Sequence, residues 1–317
     1  MDFTLDIFIN KIQDAIAMPI EYLFNSKKRI CYLYLLSSLI LSFWVYFKGN
    51  KKVSFLKYVF AKKIWLSDSA FVDYGFIFFN SFIKIFLLAP FLIFGLSMAL
   101  SIDEFMFNHL GESSINLGPI QTLVFYTIIL TLINDFSAYL VHLLMHKVSF
   151  LWAFHKVHHS ATTLNPVTQY RIHPVELIIN NFRILLIMSF VSGVFLYMTS
   201  YPINYITFFG VNILSFIFLI YGSNLRHSHV KLSYFNWIES LIISPFQHQI
   251  HHSNNPAHYN KNMGSKLAIW DWMFGTLIKS NKVDKIKFGL GEKEDKNHKT
   301  FIQNLLNPFF NIIHFKK

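Results

Sequence analysis

Long uncharged stretches, separated by short charged ones, dominate the hydropathy pattern of the chain. Residues 30–47 form an 18-residue run without Asp, Glu, Lys or Arg. Residues 85–102 and 113–134 are two more, and residues 184–225 hold no charged side chain over 42 positions. A helix needs about 20 mainly apolar residues to cross the hydrocarbon core of a bilayer. The pattern predicts five such helices, with the last stretch supplying two and Ser200-Tyr201-Pro202 breaking between them. Between residues 51 and 66, Lys alternates with Phe55, Leu56, Tyr58, Phe60 and Trp65, as in a helix lying in the membrane interface.

Loop charge orients these helices. Residues 103–120 carry Asp103, Glu104 and Glu112 but no Lys or Arg. The other side carries Lys48, Lys51, Lys52, Lys57, Lys62, Lys63, Lys147, Lys156, Arg171 and the Lys-rich stretch 279–317. The positive-inside rule assigns that side to the cytoplasm. Lys27, Lys28 and Arg29 precede the first run on what should be the outside, so residues 30–47 are the weakest crossing and an interfacial or re-entrant helix is the alternative. Asp2, Asp6, Asp14 and Glu21 in the first 25 residues argue against a cleavable signal peptide. No internal repeat is visible.

Composition agrees with the pattern. Hydrophobic residues make up 53% of the 317 and charged residues only 14%, against about 25% charged in ordinary soluble domains. The expected fold is all-α: a polytopic membrane bundle of about four to five transmembrane helices with a cytoplasmic helical cap. Three regions are expected: N-terminal membrane and interfacial helices (1–110), a catalytic core (111–280) and a charged cytoplasmic tail (281–317). The net charge of +11 suits topology-setting loops and anionic lipid headgroups, and no nucleic-acid recognition module accompanies it. A single cysteine, Cys31, excludes a disulfide framework, a cysteine zinc site and an iron–sulfur cluster carried by this chain.

The histidines carry the chemistry. Eleven of the 15 lie between His142 and His252. His142 and His146 are four apart, His155, His158 and His159 form H-x-x-H-H, and His248, His251 and His252 repeat it. Residues three and four apart share a helix face, so each cluster presents its imidazoles toward one point. The expected topology returns the chain to one side after each pair of crossings and brings these boxes and His227 together. Nine imidazoles exceed the needs of one metal, and two metals sharing them is the economical count. Neutral imidazole suits Zn, Cu, Fe and Ni alike. Asp135 shares a stripe with Tyr139, His142 and His146 and is the expected acceptor that fixes an imidazole tautomer. His109, His298 and His314 read as structural residues. His173 reads as part of an ordinary helix start with Pro174 and Glu176; ligation by His173, His229 or His258 stays open.

These boxes resemble the fatty acid hydroxylase/sterol desaturase superfamily of integral membrane non-haem di-iron enzymes. Asp135-Phe-Ser-Ala-Tyr139-Leu-Val-His142-Leu-Leu-Met-His146 looks like its first box, with Leu143 where a basic residue is frequent. Phe154-His155-Lys-Val-His158-His159-Ser160, Arg171-x-His173-Pro174-x-Glu176, Arg226-His227-Ser228 and Pro245-Phe-Gln-His248-Gln-Ile-His251-His252-Ser253 follow in order. Asn262-Met263-Gly264 and Trp270-Asp271-x-x-Phe274-Gly275-Thr276 close the pattern, with Met263 where Tyr is common. The resemblance spans about residues 120–280. It implies two iron ions held by His142, His146, His155, His158, His159, His227, His248, His251 and His252, with O2 as cosubstrate. It also implies hydroxylation, or less often desaturation, of a lipid such as a sterol, fatty acid or sphingolipid.

No haem, flavin or dinucleotide motif is present, so electrons are expected from an external carrier, a ferredoxin or cytochrome b5 with its reductase. The basic patches near the boxes could dock such an acidic carrier. The Lys/Asn/Ile/Phe-rich composition and the lack of an appended haem domain favour a bacterial inner membrane over the endoplasmic reticulum. Two other classes compete. A dinuclear-zinc membrane hydrolase would use similar histidines, but H-E-x-x-H is absent. A metal transporter would be expected to place ionisable residues within its spans, and residues 184–225 hold none.

Overall fold

The computed structural model describes residues 2–49 and 53–314; Lys51, Lys52 and the end of the Lys-rich stretch lie outside the described residues. Helices α1 (Asp2–Glu21) and α2 (Tyr32–Lys48) are followed by two short ones, α3 (Phe55–Val59) and α4 (Lys62–Trp65), where a single interfacial helix was expected. Helix α5 (Asp68–Phe82) starts at Ser67, whose Oγ accepts the Ala70 N–H at 3.1 Å. It passes through a π turn (Ile83–Leu88) and a 3-10 turn (Ala89–Leu92) into α6 (Ile93–Leu110). Pro90 has no N–H to give the helical ladder, which accounts for the change of pitch there. The two halves of this rod differ in surroundings. Val72, Asp73, Phe76 and Ser81 of α5 are buried in protein, whereas Ile93 is 79% exposed and Leu96 68%.

Helix α7 (Pro119–Lys147) opens with Pro at its first position and Gln121 Oε1 accepting the Gly118 N–H. It leads through α8 (Ser149–His159) to α9 (Pro174–Met198). Among the described residues three segments are long and apolar enough to cross a membrane: Asp68–Leu110, Pro119–Lys147 and Pro174–Met198; α2 is a shorter apolar helix. The chain is an integral membrane protein. Helices α6 and α9 touch backbone to backbone at Gly193, where a Cβ would lie 2.6 Å from the Ala99 carbonyl oxygen. Small residues permit such approach in membrane bundles, where no hydrophobic drive separates helix from lipid.

The expected fifth crossing is absent as a helix. After Met198 the chain runs without helical structure to a two-stranded hairpin, β1 (Thr207–Phe208) and β2 (Val211–Asn212), and then into the eight-residue α10 (Ile213–Ile220). Phe209 and Gly210 both take positive φ, the signature of a type I′ hairpin turn. Hydropathy counts apolar residues but does not say how the backbone is satisfied. Here Thr127 of α7 does part of it, its Oγ1 accepting the Ile206 N–H, while Thr131 Oγ1 accepts from the Asn212 side chain. Irregular backbone survives at membrane depth only against such protein partners.

The remaining elements form a cap. They include the 3-10 turn Ser223–His227, α11 (Pro245–His251), α12 (Ile269–Met273), α13 (Glu292–Asp295) and α14 (Phe301–His314). The loop holding Lys27, Lys28 and Arg29 packs on this cap. Tyr22 stacks on Tyr170 and Asn224 Nδ2 donates to the Arg29 carbonyl. Leu41 and Val45 of α2 pack against Leu225, Val230 and Leu232. The cationic run thus sits on the same side as the histidines, which removes its conflict with the loop-charge rule. The charged C-terminal stretch packs behind α8. Phe301 meets Phe76 at 5.0 Å, Phe309 meets Phe154 at 5.3 Å, and buried His298 bonds Asn304.

Candidate metal centre

Four elements aim imidazoles at the space between membrane helices and cap. His142 and His146 lie one helical turn apart at the C-terminal end of α7. His155, His158 and His159 come from α8, and His248, His251 and His252 from the end of α11. Ser244 caps α11, accepting from the Gln247 N–H while Gln247 Oε1 accepts the Ser244 N–H. His227 ends a 3-10 turn that starts at Gly222, whose φ of +96° an L side chain rarely adopts.

The nine side chains fall into two groups. His142, His146, His155, His159 and His251 form one, and His158, His227, His248 and His252 the other. Within each group the candidate ligand atoms lie within 4.8 Å of one another. The two H-x-x-H-H boxes are shared crosswise. The i,i+4 pair His155/His159 joins His251 of the facing box, and the i,i+4 pair His248/His252 joins His158. His159 and His252 stack at 4.6 Å where the groups meet.

The nitrogen positions fit a metal. His142 Nε2 and His155 Nε2 lie 3.1 Å apart, His159 and His155 3.3 Å, His158 and His227 3.3 Å, and His248 lies 3.1 Å from both His227 and His252. Two ligands at about 2.1 Å from one ion stand ~3.0 Å apart at a right angle and ~3.4 Å apart at the tetrahedral angle. Tautomers point the same way. The Nδ1–H groups of His142, His158 and His251 donate to the carbonyls of Met263, Arg171 and Lys261 at 2.7, 3.1 and 2.9 Å, which leaves each Nε2 as a bare lone pair. Nε2 of His146 and of His251 is buried without a hydrogen-bond partner. A cation satisfies such atoms, which otherwise carry a desolvation cost. His248 differs: Arg226, a donor only, gives its Nη2–H to Nδ1 at 2.7 Å, so the ring proton sits on Nε2 and ligation must release it.

Burial holds the imidazoles in their neutral, ligand-competent form. It brings His155 and His158 down to about 3 and His159, His227, His248, His251 and His252 well below the usual imidazole range. In the unfolded chain each protonates near its ordinary value of about 6.5. Below that pH the unfolded state therefore binds more protons than the folded one. The stabilisation is complete above about 6.5 and is lost as pH falls below that value. Metal-stripped protein in detergent is expected to show a lower thermal midpoint at pH 5.5 than at pH 7.5. An unchanged midpoint would contradict the buried, neutral state.

Carboxylates hold the frame in ways the sequence only partly indicates. Asp135, expected to orient an imidazole, has no histidine partner; its oxygens accept from the Lys266 and Leu267 N–H groups and from Trp270 Nε1, all at 3.0 Å. Asp135 therefore staples the loop after Gly264 to α7. Asp271 accepts from the Met263 and Gly264 N–H groups at 2.7 Å, and Met263 in turn offers its carbonyl to His142. A Cβ on Gly264 would lie 2.4 Å from the Leu267 carbonyl, so that turn needs glycine. The carboxylate that faces an imidazole is Glu176, with Oε1 3.0 Å from His155 Nδ1. Its place at the start of α9 reads as helix grammar. The missed signal is the polar stripe Glu176, Asn180, Arg183 on an otherwise apolar helix. Glu176→Gln is expected to weaken metal retention about 10- to 100-fold in chelator competition.

The remaining histidines stand outside both groups. His173 caps α9, accepting from the Val175 N–H, and its Nε2 pairs with the Leu305 carbonyl. His229 packs on Tyr58 at 4.8 Å, and His258 is buried in the 3-10 turn Pro256–His258. His109 is exposed on α6, and the side chain of His314 lies outside the described residues.

Comparison with known proteins follows the same segment. A family model described as "Fatty acid hydroxylase" matches residues 127–276, from the middle of α7 to just past α12. Alkylglycerol monooxygenase of Xenopus tropicalis is 29% identical over 162 residues, covering 49% of this chain and 31% of that protein. Ornithine lipid hydroxylase OlsE of Rhizobium tropici is 28% identical over 187 residues, 59% of this chain and 51% of its own length. Human cholesterol 25-hydroxylase is 30% identical over 148 residues, 46% and 48% respectively. The chain thus spans no more than about half the length of these relatives. No solved structure matches it. All nine grouped histidines, together with Glu176, Asp135 and Asp271, fall inside residues 127–276, the segment in which this chain is similar to the fatty acid hydroxylase family.

Proposed function

We propose that this chain is a membrane-bound non-haem di-iron oxygenase that uses O2 and external electrons to hydroxylate a C–H bond of a lipid. The observation that carries the reading is the pair of imidazole groups, five and four, whose candidate ligand nitrogens lie within 4.8 Å of one another in each group, with only His142 and His146 half-buried. Bound iron would supply activation of O2 and insertion of one oxygen atom into an unactivated C–H bond. The residues around it hold and orient. Carbonyls of Met263, Arg171 and Lys261 fix three tautomers, Glu176 faces His155, and the packed cap keeps bulk water from the buried rings. Hydroxylation is favoured over desaturation because the relatives above carry the names of hydroxylases and monooxygenases.

Two openings support separate access. A cavity of about 170 Å³ reaches both groups, lined by His142, His155, His158, His227 and His248. A second cavity, of about 300 Å³, reaches only the first group through Trp152, His146, His159 and His251. The Trp152 ring lies 5.0 Å from His146, a short path for electrons from a docked ferredoxin or cytochrome b5. The boxes face the cytoplasm in this reading, in a bacterial inner membrane.

Elemental analysis and Mössbauer spectroscopy of untagged, detergent-purified protein test the proposal, followed by an assay for oxygen-dependent lipid product. About two irons per chain are expected. Zinc alone, with no oxygen-dependent product after iron reconstitution, would move the assignment to a dinuclear-zinc hydrolase.

A further inference from the structure

The 170 Å³ cavity beside both histidine groups is a cationic one. Its lining sets two arginines, Arg29 from the loop between α1 and α2 and Arg226 beside His227, against one carboxyl residue, Glu176, with the uncharged Gln169, Asn180 and Ser265. Arg226 is 2% exposed, and its Nε is buried without a hydrogen-bond partner. Its other donors go to the Ser265 carbonyl and His248 Nδ1, neither of which carries a negative charge. Among the described residues the Arg29 guanidinium makes no hydrogen bond, and neither arginine has a carboxylate within ion-pair distance. Neither acid nearby pairs with an arginine: Glu176 turns Oε1 toward His155 and leaves Oε2 without a hydrogen-bond partner, and both Asp135 oxygens are taken by the loop after Gly264 and by Trp270.

A buried cation without a counter-ion is strongly unfavourable, and metal ions in the histidine groups would add more positive charge to the same space. Planar guanidinium groups are suited to phosphate or carboxylate oxygens. We propose that Arg29 and Arg226 receive an anionic headgroup of the substrate, so that the carbon oxidised lies close to that headgroup and not at the far end of an apolar skeleton.

Space for the rest of such an amphiphile adjoins the cavity. An apolar groove of about 510 Å³, lined by Leu132, Leu214, Ile217, Phe218, Tyr234 and Ile242, lies between α7, α10 and the cap. Arg226 sits over the Phe218 ring at 5.5 Å, and Lys266 of the groove follows Ser265 of the cavity. The groove therefore receives the alkyl chain while the arginines hold the charged end beside the histidines. This assignment rests on the lipid oxygenase reading for its catalytic meaning, but its binding test does not.

The test offers metal-loaded protein, in a neutral maltoside detergent, equimolar dodecyl phosphate and 1-dodecanol, and reads bound species by native mass spectrometry. The wild type is expected to prefer the phosphate about tenfold, equivalent to ~1.4 kcal/mol. Arg29→Gln is expected to erase that preference with metal content unchanged, because Arg29 has no histidine contact, and Arg29→Lys is expected to keep most of it. Equal binding of the two probes by the wild type, or a preference that survives Arg29→Gln, would overturn the proposal. Displacement of dodecyl phosphate by an equal concentration of inorganic phosphate would also overturn it, by assigning the site to a soluble anion. An oxygen-dependent product with no phosphate preference would remove this inference alone. A phosphate preference in protein that forms no oxidised product would remove the oxygenase reading alone.

Discussion

Alanine at His158 or at His251 is expected to end turnover while leaving the chain folded and inserted. Each is the single member that its box contributes across to the facing box's group, so each variant tests one group. His158→Ala leaves three imidazoles in its group, whereas His251→Ala leaves four in the other. Metal loss should therefore be more complete in the first variant, about one metal per chain remaining, and partial in the second. Neither residue lies in a segment of membrane-crossing length, so insertion does not depend on them. A fall in turnover of at least about 1000-fold corresponds to ~4 kcal/mol in the barrier. Wild-type turnover in both variants, measured with metal content on the same preparations, would reject the two-group assignment.

The spacing of the histidines made the centre legible, because three- and four-residue intervals on a helix leave few ways to point. What spacing could not show is which box members share an ion. His158 and His159 are adjacent in sequence yet belong to different groups, since consecutive helical residues diverge by about 100° and the facing box approaches between them. The carboxylates were misread for a related reason. Asp135 is on the histidine stripe of α7, but backbone N–H groups of a loop 131 residues away reach it first. Glu176 looked like helix-start grammar and instead faces His155. Hydropathy likewise marked residues 184–225 as apolar without revealing that the chain from Thr199 to Asn212 is non-helical, because the threonines that meet Ile206 N–H and the Asn212 side chain sit on another helix. The C-terminal charges marked a cytoplasmic tail, while the apolar residues of α14 that dock on α8 and α5 were hidden among them.

The second large effect is expected at a buried ion pair that holds a histidine group from outside. Arg171 and Asp73 are both 0% exposed and pair at 2.6 Å through Nε and Oδ1. The guanidinium also reaches Ser160 Oγ and both oxygens of Ser69, tying the start of α5 to the end of α8. Asp73 Oδ2 accepts from Asn165 and Thr168, which hold the loop leading to Arg171. The carbonyl of the same arginine accepts the His158 Nδ1–H, so the second histidine group hangs on this lock. Arg171→Ala should cost about 3–5 kcal/mol, because it strands a buried carboxylate. That is a large share of a typical total of about 5–15 kcal/mol. Arg171→Lys should recover little, since a compact ammonium cannot span Asp73, Ser69 and Ser160 together. Metal content should fall with stability in both variants. The double variant Asp73→Asn/Arg171→Met removes both charges at once and is expected to be at least about 1 kcal/mol less destabilised than the sum of the single changes. Thermal unfolding of the four proteins in one detergent closes this cycle. Strict additivity would mean that the two residues act separately and that the frame around His158 is held by the serines and the backbone instead.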